Sequence, residues 1–147
     1  MKYEVYKVTE PMLKSGLTAL VNCSYKECEK YIAKHGYKTA DDGIDHSTAF
    51  GVLFHLAKIE DPNDKAYLLW QRHFDWTIAD MGVFVHELLH FAVSILDDKG
   101  IAVRVENDEV LAYLQEYYVV RFFEQLKVHS RKMKRRKGGG KKHDKRK

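Results

Sequence analysis

Two histidines and a glutamate in residues 77–98 have the types and spacing of a metal centre. His86 and His90 are four residues apart, so on a helix they project from one face about a turn apart. Glu87 lies between them and completes the pattern His-Glu-Leu-Leu-His. Two neutral imidazoles at this spacing can bind one zinc ion, and the glutamate can act as general base toward a water that the metal activates. The motif therefore predicts a zinc-dependent hydrolytic site.

The residues around this motif predict one helix from Thr77 to about Asp98. Thr77 and Asp80 have the spacing of a capping box, and Gly100 is a typical C-terminal stop. The flanking positions are apolar nearly all round, which predicts a buried helix whose histidines need partners. These apolar positions are Val83, Phe84, Val85, Leu88, Leu89, Phe91, Ala92, Val93, Ile95 and Leu96. A core helix with hydrogen-bonded histidines is the alternative that this pattern leaves open.

Glu109 is the candidate third ligand. Eighteen residues separate it from His90, and an HExxH motif followed at this distance by a glutamate resembles the gluzincin metallopeptidases, in particular their aminopeptidase-like branch. Residues 106–113 are similar to the glutamate helix of that clan, with Asn107 or Asp108 as its cap. The resemblance covers roughly residues 46–125 and implies a minimal zincin-like fold and a peptide or protein substrate. It also implies one Zn²⁺ per chain with the ligands His86, His90 and Glu109, and Glu87 as the general base.

Two further residues are candidates because the chain departs from related patterns. A metzincin has glycine and histidine where this chain has Val93 and Leu96. A thermolysin-like glutamate helix has an aspartate four residues after its glutamate, where this chain has Tyr113. Asp97, on the same predicted helix face as His90, can instead accept a hydrogen bond from a zinc-binding histidine. Tyr113 is a candidate to stabilise an oxyanion, and a core aromatic is the alternative.

The rest of the pattern predicts an α+β domain. Residues 2–8 and 17–21 predict short strands, and a capping box at Ser24–Glu27 predicts a helix that ends near Gly36. Residues 48–57 and 65–74 predict two strands that pair as a hairpin around the turn at 61–64. We therefore expect a small mixed sheet of three or four strands, with the HExxH helix across it and the glutamate helix completing the site.

Residues 47–53 are the candidate substrate ledge. In the gluzincin clan an edge strand beside the metal holds an extended peptide by strand addition. The small-residue character of this stretch suits such a ledge, and Gly51 permits close backbone approach. The ledge residues are Thr48, Ala49, Phe50 and Gly51. An ordinary central strand is the alternative. His46, His55 and His73 are further candidates to serve the site, or otherwise surface or core histidines.

The charge of the chain is divided unevenly along it. Residues 127–147 contain twelve Lys or Arg and one acid, so their net charge is +11. Because the whole chain has a net charge of +4, residues 1–126 have a net charge of −7. We therefore expect a folded domain over 1–126 and a flexible basic tail over 127–147. The tail either solubilises the protein or contacts nucleic acid without sequence preference. Its candidate contacts are Lys134, Arg135, Arg136, Lys137, Lys141 and Lys142.

The N-terminal segment, the apolar helix and the two cysteines indicate the cellular location. Residues 1–15 lack the continuous apolar run of a signal peptide, and the motif helix is too polar at its centre for a membrane span. Cys23 and Cys28 lack the spacing of a zinc knuckle, and we expect them to be reduced. A cytoplasmic or intravirion protein with no membrane partner is the natural interpretation.

Three functions are compatible with these features. The motif and the resemblance favour a zinc metallopeptidase. A structural or assembly protein, for example a phage virion component, can keep a zincin-like fold without turnover. A nucleic-acid-associated module, in which the basic tail is the main function and the metal site is structural, is the third.

Overall fold

The computed structural model describes residues 3–39 and 46–138. Its strands and helices are β1 (Glu4–Glu10), β2 (Ser15–Val21), α1 (Tyr25–Lys34), β3 (Tyr37–Thr39), β4 (Gly51–Lys58), β5 (Lys65–Gln71), α2 (Ile78–Asp98) and α3 (Asp108–Gly138). Short 3-10 helices at His46–Thr48 and Val105–Asn107 precede β4 and α3. The predicted α+β class is confirmed.

The strands form one mixed sheet in the order β1-β2-β5-β4-β3. Strands β2 and β5 are parallel, and the other neighbouring pairs are antiparallel. The predicted hairpin is present as β4 and β5, which pair from Gly51–Gln71 to Ala57–Lys65. The sheet has five strands rather than the three or four expected, because the three-residue strand β3 is too short to give a recognisable alternation in the sequence.

The sheet has a hydrophobic core on each face. Helix α1 packs on one face, where Cys28 and Ile32 join Leu20, Leu68 and Trp70. Helices α2 and α3 pack on the other face, where their buried side chains meet alternate residues of β1, β2 and β5. Cys23 and Cys28 are buried free thiols, as predicted. The domain therefore has three layers, and the HExxH helix belongs to the layer shared with α3.

Helix α2 begins and ends where the sequence predicts, but only one of its faces is buried. Thr77 and Asp80 form a reciprocal capping box, and Gly100 follows the helix with φ +70°. The prediction of a helix buried all round was wrong: Ile78 is 87% exposed, Val93 40% and Leu89 36%. By length and mean hydropathy (1.4) α2 could cross a membrane, yet its buried face packs on the sheet.

Helix α3 crosses the β1 side of the sheet and continues past the change in composition at Lys127. The hydroxyl of Tyr117 donates to the carbonyl of Thr9, and the amide of Gln125 donates to the carbonyl of Lys7, each at 3.2 Å. Leu126 is the last buried residue among those whose side chains are described. The helical backbone nevertheless extends to Gly138, so residues 127–138 continue the helix rather than beginning an irregular tail.

Candidate metal centre

His86 and His90 converge on the exposed side of α2. Their Nε2 atoms are 3.0 Å apart, and their rings are nearly perpendicular, with an interplanar angle of 84°. Two nitrogens bound to one tetrahedral zinc ion, each about 2.05 Å from the metal, lie about 3.3 Å apart. Both side chains are exposed, so a metal ion can reach them from solvent. The pair therefore fits two positions of a zinc coordination sphere.

Glu87 extends from α2 to strand β4. One oxygen of its carboxylate accepts a hydrogen bond of 2.9 Å from the backbone N–H of Leu53. This bond fixes the carboxylate against β4, and it requires α2 and β4 to lie close together. Gly51 permits that approach, because a Cβ atom at this position would lie 2.6 Å from Cγ1 of Val83 and 3.6 Å from Cγ of Glu87. The close approach expected at Gly51 is thus made by the HExxH helix itself.

The outer edge of β4 beside Glu87 has no strand partner among the described residues. Strand β3 pairs only with Leu56–Lys58, whereas β5 covers the other side of β4 along its length. The N–H of Leu53 points to this outer edge, since it bonds to Glu87 rather than to β5. The Leu53 N–H itself is therefore engaged by Glu87, which leaves the other outward-facing groups of residues 51–55 as candidates to pair with an extended peptide.

This edge only partly matches the predicted ledge. Strand β4 begins at Gly51, three residues later than expected, because Thr48 belongs to a 3-10 helix and Phe50 to a bend. Ala49 is half-buried, and Phe50 is 74% exposed. Of the four ledge residues, only Gly51 lies in the strand. Residues 47–50 of the predicted ledge therefore precede the strand, which begins at Gly51.

Glu109 is not beside the histidines. The described part of the chain contains no group of three or more His, Cys, Asp or Glu side chains that could hold a metal ion. The sheet order explains this result, because α3 packs over β1 while the histidines lie on the flank of α2 that faces β4. Glu109 lies exposed in the first turn of α3, on the β1 side of α2. The described residues therefore supply no third zinc ligand beside the histidine pair.

Tyr113 and Asp97 also lie away from the predicted roles. The Tyr113 hydroxyl donates to Glu10 of β1 at 3.2 Å, at the opposite side of the sheet from β4. Desolvation and this hydrogen bond raise the pKa of Tyr113. Asp97 is exposed and makes no hydrogen bond to either histidine. Its neighbour Asp98 is the structural acid of this turn, since it accepts from the Tyr67 hydroxyl and pairs with Lys65 at 3.3 Å.

Of the three further histidines, His55 bonds to the motif helix near His90. Nε2 of His55 is 3.3 Å from the hydroxyl of Ser94, which donates to the carbonyl of His90 at 2.8 Å. His55 thus connects β4 to α2 one turn beyond the metal pair. His46 packs edge-on against Phe54 on the other face of the sheet, and His73 is exposed after β5.

Sequence reasoning missed the Leu53 N–H and Ser94 as parts of this site. A backbone donor carries no residue signal, so only the register of β4 against α2 reveals it. Ser94 lies four residues after His90, and this spacing places it on the same helix face. Among the predicted tail contacts, Lys134, Arg135, Arg136 and Lys137 lie in the backbone of α3, whereas Lys141 and Lys142 lie outside the described residues.

Comparison with known proteins adds no further identification: no family model, no curated protein and no solved structure matches this chain.

Proposed function

We propose that this protein is a zinc-dependent peptidase that uses His86 and His90 as metal ligands and Glu87 as general base. The observation that carries the proposal is the 3.0 Å approach of the two Nε2 atoms, on a helix whose Glu87 is hydrogen-bonded at an edge of β4 that has no strand partner among the described residues. A zinc ion bound there would supply Lewis-acid activation of water and of the scissile carbonyl. Glu109 remains the third ligand that the gluzincin resemblance implies, and its role is tested separately below.

The chain's own residues have distinct roles in this proposal. The carboxylate of Glu87 takes a proton from the attacking water and later passes it to the leaving amine. The Leu53 N–H orients that carboxylate through its 2.9 Å hydrogen bond. Because the Leu53 N–H is already engaged, an extended peptide would pair through the other outward-facing groups of residues 51–55 and so align its scissile bond along α2.

Replacement of Glu87 by glutamine tests the proposal. Glu87→Gln keeps the shape of the side chain and removes its basicity, so the variant should fold and bind zinc yet lose peptide turnover by about 10²-fold or more. Turnover is measured on a mixed peptide library with zinc-loaded protein. Glu60→Gln, at an exposed position after β4, is the matched control and should leave turnover unchanged. Equal turnover in Glu87→Gln and parent would contradict the proposed role.

A second candidate function is supported by the length of α3. The helix continues to Gly138, well past the buried Leu126, and its extension contains most of the basic segment. An assembly protein that contacts nucleic acid through this extension would need no turnover at the histidine pair. Parent protein that binds zinc but hydrolyses no peptide in the library would favour this function over the peptidase.

A further inference from the structure

A lysine-lined cavity lies at the end of the sheet where β2 and β5 begin. Its volume is about 400 Å³, and it contains none of the residues of the candidate metal centre. The β1–β2 hairpin, the start of β5 and the C-terminal turn of α2 surround it. Four lysines line it, namely Lys7, Lys14, Lys65 and Lys99. A cavity of this size is in the range that small ligands occupy.

The charges in this cavity are not balanced by the protein. Lys65 pairs with Asp98, the only acid of the lining. The ammonium groups of Lys7, Lys14 and Lys99 have no ion-pair partner among the described residues. The cavity thus has a net charge of +3, although residues 1–126 together carry −7. This excess of positive charge along the lining favours the binding of an anion.

The floor of the cavity is shaped by small and hydroxyl-bearing residues. The β1–β2 register places Thr9 opposite Gly16 and Lys7 opposite Thr18. A Cβ atom at Gly16 would meet only the Thr9 hydroxyl, at 3.8 Å, so the floor is open there. Lys7, Thr9 and Thr18 project from the same face of the sheet, so one ammonium and two hydroxyls can donate hydrogen bonds to several oxygens of one oxyanion.

We propose that this cavity binds phosphate groups. Lysine amines suit phosphate because they act as point charges that need no planar partner. Phosphate can come from a nucleic-acid backbone or from a small phosphorylated ligand. The two sources differ in length and in salt dependence, so they can be told apart by binding measurements.

The test compares two double variants of the full chain. Lys7→Gln/Lys14→Gln removes two cavity amines, and Lys30→Gln/Lys34→Gln makes the same charge change on the exposed side of α1. Binding of a dT15 oligonucleotide is measured from 50 to 200 mM salt. Loss of two phosphate contacts lowers the salt slope, the slope of log affinity against log salt concentration, by about 1.4. The fall in affinity between 50 and 200 mM salt should therefore be about 7-fold smaller for the cavity variant than for the parent. The α1 variant should follow the parent.

A second measurement separates the two sources of phosphate. Pyrophosphate is titrated into ¹⁵N-labelled protein, and the amide signals of Thr9, Gly16 and Thr18 are followed. Saturable shifts in the parent that are lost in the cavity variant support the site. If the salt slope for oligonucleotide binding is then the same in the cavity variant and the parent, the site is assigned to a small phosphorylated ligand. Absence of these shifts together with an unchanged slope overturns the proposal. An equal slope change in both double variants also overturns it, because net charge alone would explain the effect.

Discussion

At Gly51, strand β4 leaves no room for a side chain against helix α2. A methyl group there would lie 2.6 Å from Cγ1 of Val83, so Gly51→Ala should destabilise the protein by about 1–3 kcal/mol through overpacking. Val83→Ala in the same chain should recover part of this loss, because it removes the atom in conflict. The free energy of unfolding in urea measures both effects. Gly82→Ala is the control, since nothing lies within 4 Å of its added methyl group.

Glu109 is the residue for which resemblance and geometry disagree. Loss of a residue that merely orients a metal ligand weakens metal binding about 10- to 100-fold. If Glu109 is itself a zinc ligand, Glu109→Gln should therefore raise the zinc dissociation constant by at least that factor. Glu106→Gln, three residues earlier and also exposed, should change the affinity little. Competition with a chelating dye measures the zinc dissociation constant. Identical affinity in Glu109→Gln and parent would remove Glu109 from the ligand set.

The individual residues of the site differ in how far the sequence predicts them. The convergence of His86 and His90 depends only on helical periodicity, and the structure brings their Nε2 atoms to 3.0 Å. The partner of Glu87 and the location of Glu109 depend on which strand lies beside α2 and on which side α3 packs. Both depend on the order of the strands in the sheet, which cannot be deduced from the spacing of residues within one segment.

Among the elements, the C-terminal turn of α2 is held to β5 by an acid that can be titrated. The Tyr67 hydroxyl and Lys65 both bond to Asp98 and lower its pKa, the hydroxyl contributing most and partial desolvation opposing it. Because the pKa of Asp98 is lower in the folded state, its ionised form stabilises the fold at pH values above the unfolded-state pKa of about 3.9. This stabilisation is lost as the pH falls through the folded-state pKa.

Asp98→Asn should therefore reduce the free energy of unfolding at pH 7 by about 0.5–1.5 kcal/mol, the net value of such a hydrogen bond. The difference from the parent should shrink as the pH is lowered below about 4, because the parent then loses the same charge. Urea unfolding at pH 7, 5 and 3 provides the measurement. Asp97→Asn, the exposed neighbour, should show no such pH dependence, and a difference that stays constant down to pH 3 would exclude this role for Asp98.

The elements themselves are largely predictable, for physical reasons that also explain the exceptions. Capping boxes at Ser24 and Thr77 and positive-φ glycines at 36 and 100 mark α1 and α2 locally. The start of β4 is not marked, because Thr48 and Phe50 have strand-like side chains yet occupy a 3-10 helix and a bend. The exposure of one face of α2 is likewise unpredictable from apolar content, since it depends on how much of the helix the sheet and α3 cover.

For the whole molecule, the main structural feature outside the domain core is the extension of α3. The helix remains continuous from the packed residues Tyr118, Phe122 and Leu126 into the basic segment. An α-helix rises about 1.5 Å per residue, less than half the rise of an extended chain, so a basic sequence has more charges per unit length when it is helical. This dense spacing supports the proposed contact with a polyanion such as nucleic acid.

Removal of residues 131–147 tests this extension in the whole chain. The truncated protein should unfold at the same urea concentration as the parent, because Leu126 is the last residue that the core is seen to bury. Nucleic-acid binding should respond differently. If the segment engages six to ten phosphates, the affinity of the parent for mixed-sequence DNA and RNA falls about 10³- to 10⁵-fold between 50 and 200 mM salt, and truncation removes most of that dependence.

A variant with Lys134, Arg135, Arg136 and Lys137 all changed to glutamine keeps good helix-forming residues and so separates charge from length. It removes four of the eleven Lys and Arg that truncation removes, so it should lose part of the salt dependence that truncation abolishes and match the parent in stability. A truncated protein that binds as tightly as the parent would show that the extension is not the contact, and the cavity lysines would then have to account for any salt-dependent affinity. No binding by either protein would leave solubilisation as the role of the basic segment.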